Sequence, residues 1–481
     1  MSVHVQSNER LVRSKAARTK LLMSIGVAMS ALLGTSAAQA QTKTLQDAMI
    51  TAYSNNPALQ ASRALLRATD ENVPAALAGW RPTVTLNASA GPSWGTQTNP
   101  VGGQLYTTNE KRYITTGTAT VTQPIYRGGR TVAATNKAEN LVMAQRATLL
   151  AQEEQTFSDT VTAYVNVIAT QETLDLDRNN EEVLTRQLQA TNDRFRVGEI
   201  TRTDVAQAQA ALAGAVATRE TAEGALQSAR ASYQKTVGEL PGKLVDPQPL
   251  GLPSKTLEEA KALARGNNPN VVAAVFKNAS DKDNFDLQYA ALMPQVALQA
   301  TGSTAKNQTY RDYYNQGSQV GLTLTVPLYQ GGSEYAAIRQ ARQSEQQSHQ
   351  LIDDARATAV QQAISAWETY QATKSSIASN RQQIKANEVA LEGVQREAIV
   401  GSRTTLDVLN AEQALLTSRT QLVQNLSTLV ANSYAVAAAV GRLTARDLNL
   451  PVPYYNEKAY YEAVRSLWIG TGDYAPSQPG K

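Results

Sequence analysis

Cys and His, the side chains most used as nucleophile, base and metal ligand, are nearly missing from this 481-residue chain. Cysteine is absent, which excludes thiolate chemistry, a disulfide framework and a lipid-bearing N-terminal Cys. Of the two histidines, His4 lies in a leader-like start and His349 in a stretch rich in Gln and Ser, so they form neither a metal cluster nor a catalytic dyad. Gly128-Gly129 and Gly331-Gly332 precede helical stretches, as an anion cradle would. No Gly-Lys-Ser/Thr follows either pair, and both read as joints between a strand and a helix. Asp175, Asp177, Glu181 and Glu182 sit among Arg178 and Arg186 at helical spacing and are expected to form a solvated face. No residue set supports an enzyme, a cofactor or a metal ion. What remains is a polar turn made twice, Arg196 to Val205 and Ile399 to Val408, each with Val-Gly, five residues, then Asp-Val. Its Gly can end an incoming helix in the left-handed conformation, and its Thr and Asp side chains can cap an outgoing one.

Long helices must carry these turns. Arg130 to Arg196 contains no Pro and no Gly, and as one helix or a stacked pair it would be roughly 100 Å long. Gln340 to Ile399 is similar, with Gly393 its only Gly. On the return side Val408, Leu415, Leu422, Leu429 and Val436 recur every seventh residue, as do Leu409, Leu416, Val423, Val430 and Ala437. A strict seven-residue repeat implies helices coiled around neighbours. Eleven Ala between Ala206 and Ala231 allow close approach.

The turns are part of a larger doubling. Leu45 to Leu59, with Asn55-Asn56-Pro57, matches Leu257 to Val271, with Asn267-Asn268-Pro269, at an offset of 212 that Pro82 and Pro294 keep. Pro124-Ile125-Tyr126-Arg127-Gly128-Gly129 matches Pro327-Leu328-Tyr329-Gln330-Gly331-Gly332 at 203, and the Val-Gly turns keep 203. One nine-residue length difference between Pro82 and Pro124 explains the change. The expected organisation is a leader over 1–40, one repeat over 41–250, a second over 251–447, and a C-terminal extension over 448–481. The linker falls near Pro241 to Pro253, the Tyr-rich start of the extension is expected to pack on the helices, and the last ten residues are expected to be disordered.

Each repeat also holds two stretches of period-two alternation, about 82–98 and 107–123, then 294–308 and 316–327. One side carries Val84, Leu86, Val296, Leu298, Val320 and Leu322; the other carries Thr, Ser, Gln and Asn with few charges. Trp80, Trp94, Tyr113, Tyr126, Tyr310 and Tyr329 gather at the ends. The pattern fits strands between lipid and a wetted lumen, and a half-buried soluble sheet would alternate in the same way. No stretch after the leader is apolar enough for a spanning helix, so membrane insertion would use strands. Four strands cannot close a membrane barrel, since such barrels start at about eight, so other copies of the chain must complete the sheet. Two or three copies would satisfy that arithmetic.

Residues 1–40 have a basic start, an apolar run from Leu21 to Leu33, and Ala38-Gln39-Ala40, which read as a secretory signal peptide. The remaining 441 residues hold 40 bases and 40 acids. The apparent basicity belongs to the leader, and a nucleic-acid partner loses its main support.

The doubled plan, with its paired Asn-Asn-Pro, Pro-Ile/Leu-Tyr-x-Gly-Gly and Val-Gly-x5-Asp-Val motifs over roughly Thr44 to Arg442, resembles the TolC family of outer membrane efflux and secretion proteins. The resemblance implies a mainly α fold with a four-stranded antiparallel β contribution per chain. It selects three copies: a homotrimer with a 12-stranded transmembrane β-barrel continued by a 12-helix periplasmic α-barrel. It places the protein in the outer membrane of a Gram-negative bacterium, as a passive channel for drug efflux or type I secretion. Outer membrane lipid, a periplasmic adaptor and an inner membrane ABC or proton-driven transporter are the implied partners. Adaptor docking is implied at Val197, Gly198, Val400 and Gly401. For the closed gate, Arg403 is implied to bond Thr203 and Asp204 between hairpins, and Asp407 to project as a ring of carboxylates. Relatives with the tightest closure often have Tyr where this chain has Ala398 and a second Asp where it has Asn410, which implies a weaker latch and one acidic ring. A soluble periplasmic coiled-coil scaffold is the competing class.

Overall fold

The computed structural model describes residues 42–472 and Tyr474. The leader expected over 1–40 lies outside these residues, and so does most of the C-terminal end expected to be disordered.

Three helices, α1 (Leu45–Asn55), α2 (Pro57–Asp70) and α3 (Asn72–Leu77), lead into a hairpin of β1 (Thr83–Val101) and β2 (Gln104–Tyr126). Helix α4 (Arg130–Arg196) then runs unbroken for 67 residues, roughly 100 Å, and α5 (Arg202–Val237) returns along its far half. The plan repeats as α6 (Leu257–Asn267), α7 (Pro269–Tyr289), β3 (Gln295–Lys306), β4 (Tyr314–Thr325), α8 (Ser333–Ile399) and α9 (Thr405–Ala439), followed by α10 (Ala459–Val464). Helices α4 and α8 both have 67 residues and start 203 positions apart. The doubling therefore extends to the lengths of the long helices. Where the first repeat breaks its second helix at Glu71, the second runs straight through in α7.

The Asn-Asn-Pro motif has a mechanical role in each copy. The Asn56 side-chain oxygen accepts from Ala58 N and Leu59 N at 3.0 and 3.2 Å, capping α2, while Pro57 occupies a first-turn position that needs no N–H. Its amide Nδ2 donates to Thr236 O at 2.8 Å, at the end of α5. Asn268 caps α7 through Asn270 N at 3.0 Å and donates to Ala439 O at 3.2 Å, at the end of α9. One side chain thus starts a short helix and pins the end of a returning one.

These staples lie beside the main core, a belt around mid-helix. Met49, Leu59, Leu66, Phe157, Tyr164, Tyr233, Val237 and Leu443 are buried there. Tyr164 donates from its hydroxyl to Val245 O at 2.7 Å and accepts from Val245 N at 3.0 Å, fixing the inter-repeat linker. The C-terminal extension closes the belt. Tyr455 N donates to the Tyr53 hydroxyl at 3.0 Å, Arg465 pairs with Glu139 at 3.0 Å, and Arg81 donates to Leu467 O at 2.6 Å near the base of the strands.

The strands form one antiparallel sheet in the order β1-β2-β3-β4. Its register sorts the two faces: Thr85, Thr120, Thr301 and Gln319 lie in one row, and Val84, Val121, Ala300 and Val320 in a row on the opposite face. The first hairpin is longer than its expected 82–98 and 107–123. Its ladder continues through Asn99-Pro100 to a two-residue turn at Gly102-Gly103, where φ of +60° and +87° suits the twist of the flanking strands. Asn and Pro obscured the alternation there without ending the pairing. The nine extra residues of the first repeat go into this ribbon, which outreaches the β3-β4 hairpin. At the other end β4 stops at Thr325, before Pro327. Helix α4 begins after Gly128-Gly129 and α8 after Gly331-Gly332, all with positive φ, as expected of joints. Among the described residues no helix is long and apolar enough to cross a membrane.

Candidate functional site

Both long helices leave the sheet in the same direction, so the α4-α5 and α8-α9 turns lie at the end remote from the strands. Each turn is built alike. Gly198 and Gly401 sit at φ of +84° and +80°, the left-handed region in which a Cβ would be strained. Their N–H groups donate to Phe195 O at 3.0 Å and Ala398 O at 3.3 Å, and the following N–H groups of Glu199 and Ser402 reach back to Arg194 O and Glu397 O, both at 3.0 Å.

The outgoing helices start with capping boxes. Asp204 N donates to Thr201 Oγ1 at 3.3 Å, while Asp204 Oδ2 accepts from Thr201 N at 2.9 Å and Thr201 Oγ1 at 2.7 Å. Asp407 makes the same bonds with Thr404 at 3.3, 3.0 and 2.9 Å. The threonines that cap are therefore Thr201 and Thr404, a Thr-x-x-Asp spacing written in both copies. These bonds hold both carboxyls below the usual carboxylate range: for Asp204 chiefly the Thr201 side chain, for Asp407 chiefly the Thr404 backbone N–H. Each aspartate is consequently a fixed negative charge whose Oδ1 makes no hydrogen bond among the described residues.

The implied Arg403 link is not made inside one chain. Arg403 Nε donates to Glu397 Oε2 at 2.9 Å, across its own turn, and not to Thr203 or Asp204. That bond raises the Arg403 pKa further. Glu397 lies six residues before Arg403, and the left-handed Gly401 folds the chain back between them. The first turn has a counterpart in Arg194 and Glu199, paired at 3.0 Å. Thr203 and Asn410 are exposed. Of the acidic face expected on α4, Asp175 and Glu182 are exposed beside Arg178 and Arg186, whereas Glu181 reaches across to Arg219 of α5 at 2.7 Å and Asp177 is buried, which pushes its carboxyl up.

Apolar side chains are uncovered at both apices. Val197 is 73% exposed, Ile399 77% and Val400 78%. Just inside, Leu409 of α9 packs with Leu184 of α4 and Ala215 of α5, the small cluster that joins the two hairpins. Leu409 lies two residues beyond Asp407, on a seven-residue seam, so that periodicity was its signal.

The sequence profile of the Outer membrane efflux protein family matches residues 48–239 and 262–442, which include both tips and all four strands. The chain belongs to this family. It is 34% identical over 456 residues to the outer membrane efflux protein BepC of Brucella suis biovar 1 (strain 1330), covering 94% of this chain and 96% of that protein. It is 26% identical over 370 residues to the outer membrane protein TolC of Escherichia coli (strain K12), covering 70% and 72%. Its fold is similar to that of the outer membrane protein VceC of Vibrio cholerae, with a TM-score of 0.70 at 20% identity over 82% of this chain and 96% of that one. The Campylobacter jejuni CmeC outer membrane channel gives 0.73 at 14% identity, over 82% and 85%. As a member of the outer membrane efflux family the protein resides in the outer membrane of a Gram-negative bacterium with a periplasmic portion, and it acts in efflux or secretion.

Proposed function

We propose that three copies of this chain form a passive duct from periplasm to exterior, with a shared 12-stranded barrel and a 12-helix tube. The observation that carries the reading is the sheet. Val84, Leu86, Val320 and Leu322 on its apolar face are 70% or more exposed, and among the described residues nothing pairs with the outer edges of β1 and β4. An isolated sheet with open edges and a bare apolar face is unstable in water; closure with other copies pairs the edges and turns that face to lipid. The half-buried heptad positions of α9, such as Leu416, Leu422 and Leu429, are the helical counterpart of those edges. Three copies also keep the strand number within the range of known membrane barrels. A soluble scaffold has no use for such a sheet.

In this duct the tips are the periplasmic gate and docking surface. Val197-Gly198 and Val400-Gly401 present apolar apices to the helical hairpin of an adaptor, which recruits an inner membrane transporter of the ABC or proton-driven kind. Arg403 exchanges Glu397 for Thr203 and Asp204 of a neighbouring hairpin in the closed state. Asp407 contributes one of three carboxylates to a ring that concentrates cations, with Asn410, one helical turn further from the tip, in place of a second acid. Residues 41–250 and 251–447 serve as the two structural repeats, following a cleaved leader over 1–40.

Detergent extracts of outer membranes test the duct. Heat-resistant trimers that conduct in planar bilayers are the expected result; monomers in the soluble fraction would return the scaffold reading. Crosslinking from residues placed at the exposed Val197 and Val400, which leaves the left-handed glycines in place, then identifies the adaptor, and its absence from the captured species would remove the tips as the docking site.

A further inference from the structure

The apolar face of the sheet ends in two lysines. On β1 this face runs from Val84 to Trp94, on β2 from Val121 to Lys111, on β3 from Val296 to Lys306, and on β4 from Leu324 to Tyr314. Each band spans ten residue steps, roughly 33 Å of strand, or about 25 Å of height at the tilt of a membrane barrel. The register places Val121 opposite Ala300, so the second hairpin's band is displaced by four residues along the sheet. Tilted strands require such a stagger for all four bands to share one height. Within the bands the only charged residues are Lys111 and Lys306, both exposed and both at the end remote from the helices.

Each lysine faces an aromatic across the ladder, Lys111 opposite Trp94 and Lys306 opposite Tyr314. The repeats exchange the two residue types, because Lys306 stands 212 positions after Trp94 and Tyr314 stands 203 after Lys111. The rim therefore reads aromatic, Lys, Lys, aromatic, with the lysines on neighbouring strands β2 and β3. Lys306 lies opposite Thr115, which is four residues from Lys111, about 13 Å along the strand. Neither ammonium has an ion pair or hydrogen bond among the described residues, and no carboxylate shares their face within the bands. On a surface facing lipid, two unpaired cations at the boundary call for anions from the lipid itself.

We propose that Lys111 and Lys306 form a site for the phosphorylated glycolipid headgroup of the outer leaflet, with Trp94, Tyr113 and Tyr314 bracketing it. A disaccharide with a phosphate at each end has about the length of the lysine separation. The site rests on the outer membrane duct reading, since only a closed barrel presents this face to the outer leaflet. It is a lipid contact fixed outside the channel and separate from the gate.

The test uses the full-length oligomer in detergent and counts bound lipid by native mass spectrometry. The probes are bis-phosphorylated lipid A, the same lipid after phosphatase treatment, and phosphatidylethanolamine. Phosphorylated lipid A is expected to bind most tightly, with roughly fivefold weakening for Lys111→Gln or Lys306→Gln and roughly 25-fold for the pair. Replacing both by Arg should retain binding. Equal binding of phosphorylated and dephosphorylated lipid A, or a Lys→Gln pair that binds like the parent, would overturn the site. The phosphatase comparison uses the unaltered protein, so it decides even where a variant fails to assemble. Conductance of the parent is recorded in parallel: a parent that forms no channel defeats the duct reading, whereas a conducting parent indifferent to phosphate defeats only the lipid site.

Discussion

The mid-helix belt and the hairpin tips use the same four long helices and are held in opposite ways. In the belt, Phe157 and Tyr53 stack with ring centroids 6.1 Å apart, and Arg63 is buried with its guanidinium 4.4 Å from the Tyr53 ring centroid and 5.2 Å from that of Tyr455. Its carboxyls are driven toward the neutral form: burial pushes Glu154 up to about 8 and Asp70 up to about 7. At the tips the carboxylates are half-exposed, capped and held ionised, and among the described residues no apolar layer covers Val197 or Val400. A belt of buried, interlocked groups suits a fixed collar. A tip held by short-range polar bonds can exchange partners at little cost, as a gate and a docking surface require.

The largest expected contrast comes from the core. Phe157→Ala should destabilise the belt by about 3–5 kcal/mol, read as a lower Tm of the solubilised oligomer. Truncation of an exposed tip side chain, Val400→Ala, should leave Tm nearly unchanged, and equal losses would erase the distinction. Next, Asn268→Ala removes a cap and a long-range bond, with an expected cost of about 1–2 kcal/mol. Amide exchange should then rise at the start of α7 and the end of α9 together. Exchange that rises in α7 alone would reduce Asn268 to an ordinary cap.

The smallest effect is pH dependence, and its sign differs between the regions. Glu154 and Asp70 have raised pKa values when folded, so the folded state binds more protons than the unfolded one above the ordinary carboxylate range. Their contribution is fully present at acid pH and lost as pH rises through about 7 to 8. Asp204 and Asp407 are lowered, so their contribution is present above the ordinary carboxylate value and lost only as pH falls through the depressed ones. Between about pH 5 and pH 8 the belt should lose thermal stability while exchange protection at the tip caps stays constant. Tips that loosen first over that window would reverse the comparison.

Much of this contrast could be read from residue order. The left-handed turns, the Pro-free arms and the offsets of 212 and 203 define the architecture, because Gly, Pro and periodicity act locally. The belt charges were less legible. Leu59, Arg63, Leu66 and Asp70 share one buried stripe of α2, a spacing that marks Arg63 and Asp70 as core residues although their types suggest surface. Pairing choices were hidden for a different reason. Arg403 has Thr203, Asp204 and Glu397 as candidate acceptors, and only the fold-back at Gly401 brings Glu397 within 2.9 Å inside one chain. Sequence supplies the donor and acceptors, whereas the partner depends on which state the tip occupies.

That exchange is the centre of the account, and single-channel recording of Arg403→Ser beside Glu397→Gln tests it most directly. If Arg403 holds the gate closed and Glu397 competes for it, Arg403→Ser should raise conductance, and Glu397→Gln should lower it by releasing the guanidinium to the neighbouring hairpin. Conductance that stays at the parent level in both variants would show that the Arg403–Glu397 pair only shapes its own turn, and the latch would have to lie elsewhere.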